Sequence, residues 1–96
     1  MASGKMNRPT HFGTISRISV GDTIPADGIL KVSNNPSDAN NAYAVYSAGT
    51  SGTLRVNARN GFEEFNCFPV KKGDTITQTS ASTNSRVSMF LFPFEE

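Results

Sequence analysis

Apolar and polar residues alternate with a period of two along most of this chain. Successive side chains on a β-strand point to opposite sides of the sheet, so this alternation is typical of strands with one buried face. No window of about ten residues shows the i, i+3, i+4, i+7 apolar spacing of a helix. The pattern therefore predicts an all-β chain. The alternating runs are Ile18 and Val20; Leu30 and Val32; Tyr43 and Val45; Leu54, Val56 and Ala58; Phe68 and Val70; and Val87, Met89 and Leu91.

Clusters of turn-forming residues separate these runs and predict about seven or eight short strands. Strands at this spacing imply an antiparallel β-sandwich, a jelly roll or a small barrel, which we predict over residues 13–96. Asn60-Gly61 is the strongest hairpin signal, because both residues tolerate the positive φ of a type I′ turn. This turn is predicted to pair residues 53–59 with residues 62–70.

One short motif occurs twice. Residues 19–24 read Ser-Val-Gly-Asp-Thr-Ile, and residues 71–76 read Lys-Lys-Gly-Asp-Thr-Ile. Glycine can take the positive φ that ends a strand, and aspartate can accept hydrogen bonds from nearby backbone amides. We therefore expect two equivalent corners in the fold.

The last predicted strand is apolar on both sides. Val87, Met89 and Leu91 share one face, and the other face carries Phe90, Phe92 and Phe94. A two-layer sandwich buries only one face of a strand, so a second apolar face needs another cover. We hypothesise that Phe90, Phe92 and Phe94 lie in a homo-oligomer interface. The alternative is that the N-terminal segment covers them.

Length and charge limit the remaining possibilities. A chain of 96 residues has room for one core. We predict a flexible N-terminal arm over residues 1–12, of which residues 1–5 are interpreted as an expression scar. Basic and acidic residues nearly balance at a formal net charge of +1 and are scattered, which argues against nucleic acid or an anionic membrane as partner. No apolar run has the length of a membrane helix, and no signal peptide is predicted.

Candidate chemistry is sparse. His11 is the only histidine and has no neighbouring acid or thiol, Cys67 is the only cysteine, and no serine lies in a Gly-x-Ser-x-Gly motif. A metal enzyme of the cupin kind needs several histidines. Asp38 lies among asparagines that could bind calcium, but their spacing matches no ordered calcium loop. We predict no catalytic, metal or cofactor site, and hence no enzyme.

Three predicted loops are rich in Ser, Thr, Asn and Gly, side chains that form adaptable hydrogen bonds. Such loops can contact sugar or protein, and the alternative is that they only keep the surface soluble. The candidate ligand-facing residues are Asn34, Asn35, Asp38, Asn40, Tyr43, Tyr46, Thr50, Ser51, Thr83 and Asn84.

Three segments carry a family resemblance: Pro-Ala-Asp-Gly-Ile-Leu-Lys-Val at 25–32, Phe-Pro-Val-Lys-Lys-Gly-Asp-Thr-Ile at 68–76, and Phe-Leu-Phe-Pro-Phe at 90–94. The chain from about residue 15 to residue 94 resembles the small β-domains that cap bacteriophage fibres and related virion appendages. This resemblance implies a jelly-roll-like sandwich, similar in outline to the trimeric heads of the tumour-necrosis-factor type. It also implies assembly as a homotrimer on a virion.

We therefore expect a non-enzymatic structural or binding protein of a phage or prophage virion, either a fibre tip or a head or tail decoration. It would be assembled in the host cytoplasm and act as a homo-oligomeric display module, with a trimer favoured. Other virion proteins and a host-surface glycan or protein are the expected partners. The alternative is a carbohydrate-binding module in which Tyr43 or Tyr46 stacks on a sugar ring.

Overall fold

The computed structural model describes residues 13–95 and contains seven β-strands in this range. The predicted N-terminal arm at 1–12, including His11, and the last residue, Glu96, lie outside the described residues. The strands are β1 Ser16–Ile18, β2 Gly28–Asn34, β3 Ala42–Ala48, β4 Thr53–Ala58, β5 Glu64–Val70, β6 Ile76–Ala81 and β7 Val87–Pro93, and one short 3-10 helix spans Gly49–Ser51.

The strands form two antiparallel sheets that enclose one core, which confirms the predicted β-sandwich. One sheet has four strands in the order β1-β7-β2-β5, and the other has three in the order β4-β3-β6. Most connections cross between the sheets, as in a jelly roll. Between β1 and β2, Thr23 forms an isolated antiparallel bridge with Thr75, just before β6. This bridge extends the three-stranded sheet where a jelly roll has an eighth strand.

The core consists mainly of the alternating residues that the sequence pattern singles out. Leu30 and Leu91 are completely buried and lie opposite each other on β2 and β7. Each such side chain stabilises the fold by about 1.5–3 kcal/mol through burial of apolar surface. The β3 strand differs, because Tyr43 and Val45 lie on its outer side. The buried residues of β3 are Ala42, Ala44, Tyr46 and Ala48.

The predicted hairpin at Asn60-Gly61 is wrong, although the turn itself forms. Asn60 and Gly61 have φ values of 55° and 77°, and the Phe62 amide donates a hydrogen bond of 3.0 Å to the Arg59 carbonyl. The flanking strands, however, belong to different sheets, since β4 pairs with β3 and β5 pairs with β2. Phe62 and Glu63 follow the turn before β5 begins, and this unpaired length carries the chain across the sandwich.

Gly28 begins the central strand β2 at a point of close backbone approach. It lies between Val70 on β5 and Pro93 on β7. A Cβ atom at this position would lie 2.4 Å from the carbonyl oxygen of Phe92 and 2.7 Å from the Cα of Pro93. Both are backbone atoms of a paired strand, so neither can move without disturbing the sheet.

We predict that Gly28→Ala lowers the free energy of unfolding by about 1–3 kcal/mol, because the added methyl group overpacks the β2–β7 contact. Urea denaturation followed by circular dichroism measures this change. Gly13→Ala is the matched control, because the atom nearest to its Cβ is in the ring of Pro93, at 3.3 Å, and the Pro93 carbonyl oxygen is 4.0 Å away. It should change stability by less than about 0.5 kcal/mol. Equal losses in the two variants would contradict the explanation.

Candidate functional site

The predicted ligand-facing loops lie at opposite ends of the sandwich. Strand β3 begins after the loop at 35–41 and ends before the turn at 49–52, so these two loops are separated by its length, roughly 20 Å. The loop at 82–86 lies beside 35–41, because the Ser37 amide donates to the Asn84 carbonyl at 2.9 Å. Thr50 and Ser51 therefore belong to a different surface from Asn35, Asp38, Asn40, Thr83 and Asn84.

Asn84 links the loop at 82–86 to the loop at 35–41. Its side-chain amide donates to Asp38 Oδ1 at 3.0 Å and to the Asn41 carbonyl at 3.1 Å. Asp38 Oδ1 also accepts a hydrogen bond from the Asn40 amide. These bonds, with that from Asn84 the largest contributor, lower the pKa of Asp38. The Asp38 carboxylate is thus committed to ordering its own loop.

Asn34 is completely buried, so its predicted position facing a ligand is wrong. Its amide donates to Ser85 Oγ at 3.1 Å, and its Oδ1 accepts from the Arg86 amide at 3.2 Å. The Arg86 guanidinium in turn donates to the carbonyls of Asn35 and Pro36. Where β2 ends, backbone groups no longer pair with a neighbouring strand and need side-chain partners. The Asn34 side chain is such a partner for the Arg86 amide.

The two tyrosines separate clearly. Tyr46 is only 3% exposed and lies in the core, so its predicted contact with a ligand is wrong, and this burial raises the pKa of its hydroxyl. Tyr43 is 44% exposed. They lie three positions apart on one strand, which places them on opposite faces. Tyr43 lines a cleft with Asn41, Ala42, Asn57, Ala58 and Arg59, and of these six residues sequence analysis predicted only Tyr43 to face a ligand.

At the opposite end, Thr50 and Ser51 are hydrogen-bonded to Asp74. The Thr50 amide and hydroxyl donate to Asp74 Oδ1, while the Ser51 hydroxyl and the Lys71 amide donate to Oδ2. These hydrogen bonds, led by that of Ser51, lower the pKa of Asp74 against the opposing effect of burial. Thr50 and Ser51 are thus hydrogen-bond donors to the Asp74 carboxylate.

The repeated motif forms a symmetric clasp, which confirms the prediction of two equivalent corners. The Gly21 amide donates to Ile76 O at 2.7 Å, and the Gly73 amide donates to Ile24 O at 2.8 Å. Both glycines have a φ of 95°. The two corners differ at their aspartates, because Asp22 is exposed and accepts one hydrogen bond, from the Ser19 amide. The clasp is therefore symmetric in its backbone and asymmetric in its side chains.

Two of the three predicted interface residues, Phe90 and Phe92, lie on the outer side of the four-stranded sheet, which we call the aromatic face, and Phe94 follows the end of β7. Phe90 and Phe92 are half-buried there, and Phe94 is 49% exposed. Two cations cover rings on this face: Arg17 Cζ is 5.8 Å from the centroid of Phe90, and Lys31 Nζ is 4.6 Å from that of Phe65. The strand register places these residues on the aromatic face: Arg17, Ile29, Lys31, Ser33, Phe65, Cys67, Pro69, Ser88, Phe90 and Phe92.

Phe65 is the residue of this face that sequence reasoning missed. It is 57% exposed on the edge strand β5, and its neighbour on the same face, Cys67, is an exposed free thiol. Phe68 and Val70 alternate and mark the inner side of β5. Phe65 lies an odd number of positions from both, so the sequence already places this apolar residue on the outer side.

Within the part of the chain that the structure describes, no three His, Cys, Asp or Glu side chains are grouped so that they could hold a metal ion. Among residues 13–95, no helix has the length and apolar character needed to cross a membrane. Comparisons of the chain with protein-family models, with curated proteins and with solved structures found no match.

The clasp offers a matched pair of variants. We predict that Asp74→Asn lowers the free energy of unfolding by about 1–3 kcal/mol, because it removes charge-assisted hydrogen bonds. Asp22→Asn, at the equivalent exposed position, should cost less than about 0.5 kcal/mol. Thermal or urea unfolding at neutral pH measures both, and equal effects would contradict the assigned role of Asp74.

The pH dependence has a definite sign. Asp74 has a pKa below its unfolded value of 3.8, so it stabilises the folded state above that pH, and this contribution is lost as the pH falls through its folded pKa. We expect the wild-type protein to lose stability more steeply than Asp74→Asn between roughly pH 5 and pH 2. Parallel stability profiles would show that Asp74 does not contribute to acid unfolding.

Proposed function

We propose that this chain is a non-enzymatic display domain of a phage or prophage virion, a fibre tip or a head or tail decoration, that works as a homo-oligomer. The observation that carries the proposal is the aromatic face. Phe65 exposes more than half of its surface there, on the same face as Phe90 and the exposed Cys67. Apolar surface of this kind on the open side of a sheet favours association, because burial removes it from water.

Charge favours a rotational assembly over a two-fold dimer. The charged residues of the aromatic face are Arg17 and Lys31, both cations. In a two-fold interface a patch meets its own copy, so the cations of both copies would be buried in one interface, whereas in a ring each copy presents this face to a different patch of the next. A trimer is the smallest closed ring of this kind. Display of three copies raises the strength of weak surface contacts by on the order of 10² to 10⁴.

The spatial arrangement of the resemblance-bearing segments also supports the proposal. The segments 25–32, 68–76 and 90–94 are far apart in sequence, yet they meet around β2, which pairs with β5 on one side and β7 on the other. Asp27 links them further, because Oδ1 accepts from the Lys72 amide at 2.8 Å and the carbonyl accepts from the Phe94 amide at 2.9 Å. These motifs thus form one structural unit.

We predict that the protein sediments as a trimer at micromolar concentration and that Phe65→Ser weakens its association by about tenfold or more, through the loss of a buried phenyl ring. Sedimentation velocity across a concentration series measures both quantities. Phe62→Ser is the matched control, because Phe62 is 71% exposed in the turn before β5 and is not part of the strand register that forms the aromatic face. A monomer throughout, or an equal effect of Phe62→Ser, would contradict the homo-oligomer.

The virion assignment has a separate test. Genes for capsid, portal or tail proteins beside the coding gene would support it. Neighbouring genes for polysaccharide degradation would instead favour a carbohydrate-binding module outside a virion.

A further inference from the structure

A cleft opens on the outer side of the three-stranded sheet, where β3 begins and β4 ends. Its volume is about 230 Å³. The strand register pairs Ala42 with Ala58 and Tyr43 with Asn57. Ala42 and Ala58 are 3% and 1% exposed, so their side chains point into the core and their backbone forms the floor of the cleft. Strand alternation places Asn41, Tyr43, Asn57 and Arg59 on the outer side, as its walls.

Arg59 gives the cleft a positive charge, and none of the residues that line the cleft is acidic. No Asp or Glu occurs in β3, β4 or β6. Within residues 13–95, no carboxylate pairs with the Arg59 guanidinium. Arg55 lies on the same side of β4 but does not line the cleft. A guanidinium with its donors open to the cleft is suited to a carboxylate, which it can bind through two parallel hydrogen bonds.

Amide groups surround this charge. Asn41 Oδ1 accepts a hydrogen bond of 3.0 Å from the Asn60 amide, which fixes the side chain and leaves its amide nitrogen for another partner. Asn57 is exposed beside Tyr43. Asparagine amides both donate and accept, which matches neighbouring sugar hydroxyls. The amphipathic ring of Tyr43 can pack against the apolar side of a sugar ring.

We propose that this cleft binds an acidic saccharide, a sugar that bears a carboxylate. Arg59 pairs with the carboxylate, Asn41 and Asn57 bond the hydroxyl groups, and Tyr43 packs against the ring. The inference deepens the proposed display function, on which its biological setting rests, by naming the ligand class and the residues that bind it. Binding at one cleft is expected to be weak and to gain strength from several copies.

The test is an NMR titration of the isotope-labelled protein with N-acetylneuraminic acid and with galacturonic acid. We expect saturable shift changes at residues 41–43 and 57–59, with a dissociation constant on the order of millimolar for at least one of the two acids. Arg59→Gln should weaken this binding about tenfold or more, because it removes a charge-assisted hydrogen-bonded pair. Tyr43→Ala should weaken it about tenfold as well.

Arg55→Gln is the matched control, since Arg55 lies on the same strand and the same side but outside the cleft. The side-chain amide of Asn66 donates a hydrogen bond of 2.6 Å to the backbone carbonyl of Arg55, and Arg55→Gln leaves this bond in place. This variant should change affinity less than about twofold. Equal weakening by Arg55→Gln would overturn the site in favour of diffuse charge attraction. The absence of saturable shifts with either acid would overturn it as well.

Two further arms test the ligand class. Galactose, which lacks the carboxylate, should bind at least about tenfold more weakly than galacturonic acid. N-acetylglutamate, which has carboxylates but no sugar ring, should also bind more weakly. Equal binding of either compound would overturn the acidic saccharide. Sedimentation separates this inference from the display function: a trimer that does not bind overturns only the cleft, and a monomer that binds overturns only the homo-oligomer.

Discussion

The fold depends on the pairing of β2 with a strand on each side. From Gly28 to Asn34, every residue of β2 lies opposite one residue of β5 and one of β7. This arrangement brings three segments separated by some tens of residues into one sheet, and it brings Leu30 and Leu91 together in the core. The fit requires close approach of the backbones, which only a residue without Cβ permits at Gly28. Most other features, including the crossings between the sheets, follow from where β2 places its neighbours.

Much of the fold could be predicted because its core strands alternate cleanly. On β2 and β4 one set of alternating residues is aliphatic and the other is mainly polar, so the side that faces the core is defined. The alternation of β3 is ambiguous, since Ala42, Ala44 and Tyr46 on one side and Tyr43 and Val45 on the other are both apolar. After the turn at Asn60-Gly61, the unpaired residues Phe62 and Glu63 lead the chain to the other sheet instead of into a hairpin. The turn residues themselves are compatible with both outcomes.

The candidate surfaces were less predictable, because they depend on which distant residues meet. Asn34 and Asn35 are neighbours in a polar run, yet one is buried as a partner for backbone groups and the other is exposed. Arg59 and Asn57 gain significance only through the register that sets Asn57 opposite Tyr43. The aspartates of the repeated motif look equivalent in sequence, but only Asp74 lies within reach of Thr50 and Ser51. Sequence composition indicated which loops are polar. The pairing of distant strands determines which residues of those loops lie together.

Both ends of the described chain leave the sandwich on one side. The Gly13 amide donates to the Pro93 carbonyl at 2.8 Å, so residues 13 and 95 emerge near the end of β7. The cleft beside Tyr43 lies toward the other end, roughly the length of a strand away. A tether attached before Gly13 or after Glu95 would therefore anchor the domain by its base and leave the cleft pointing outward. Immobilised on a sensor chip through either terminus, the protein should keep that cleft accessible to solution.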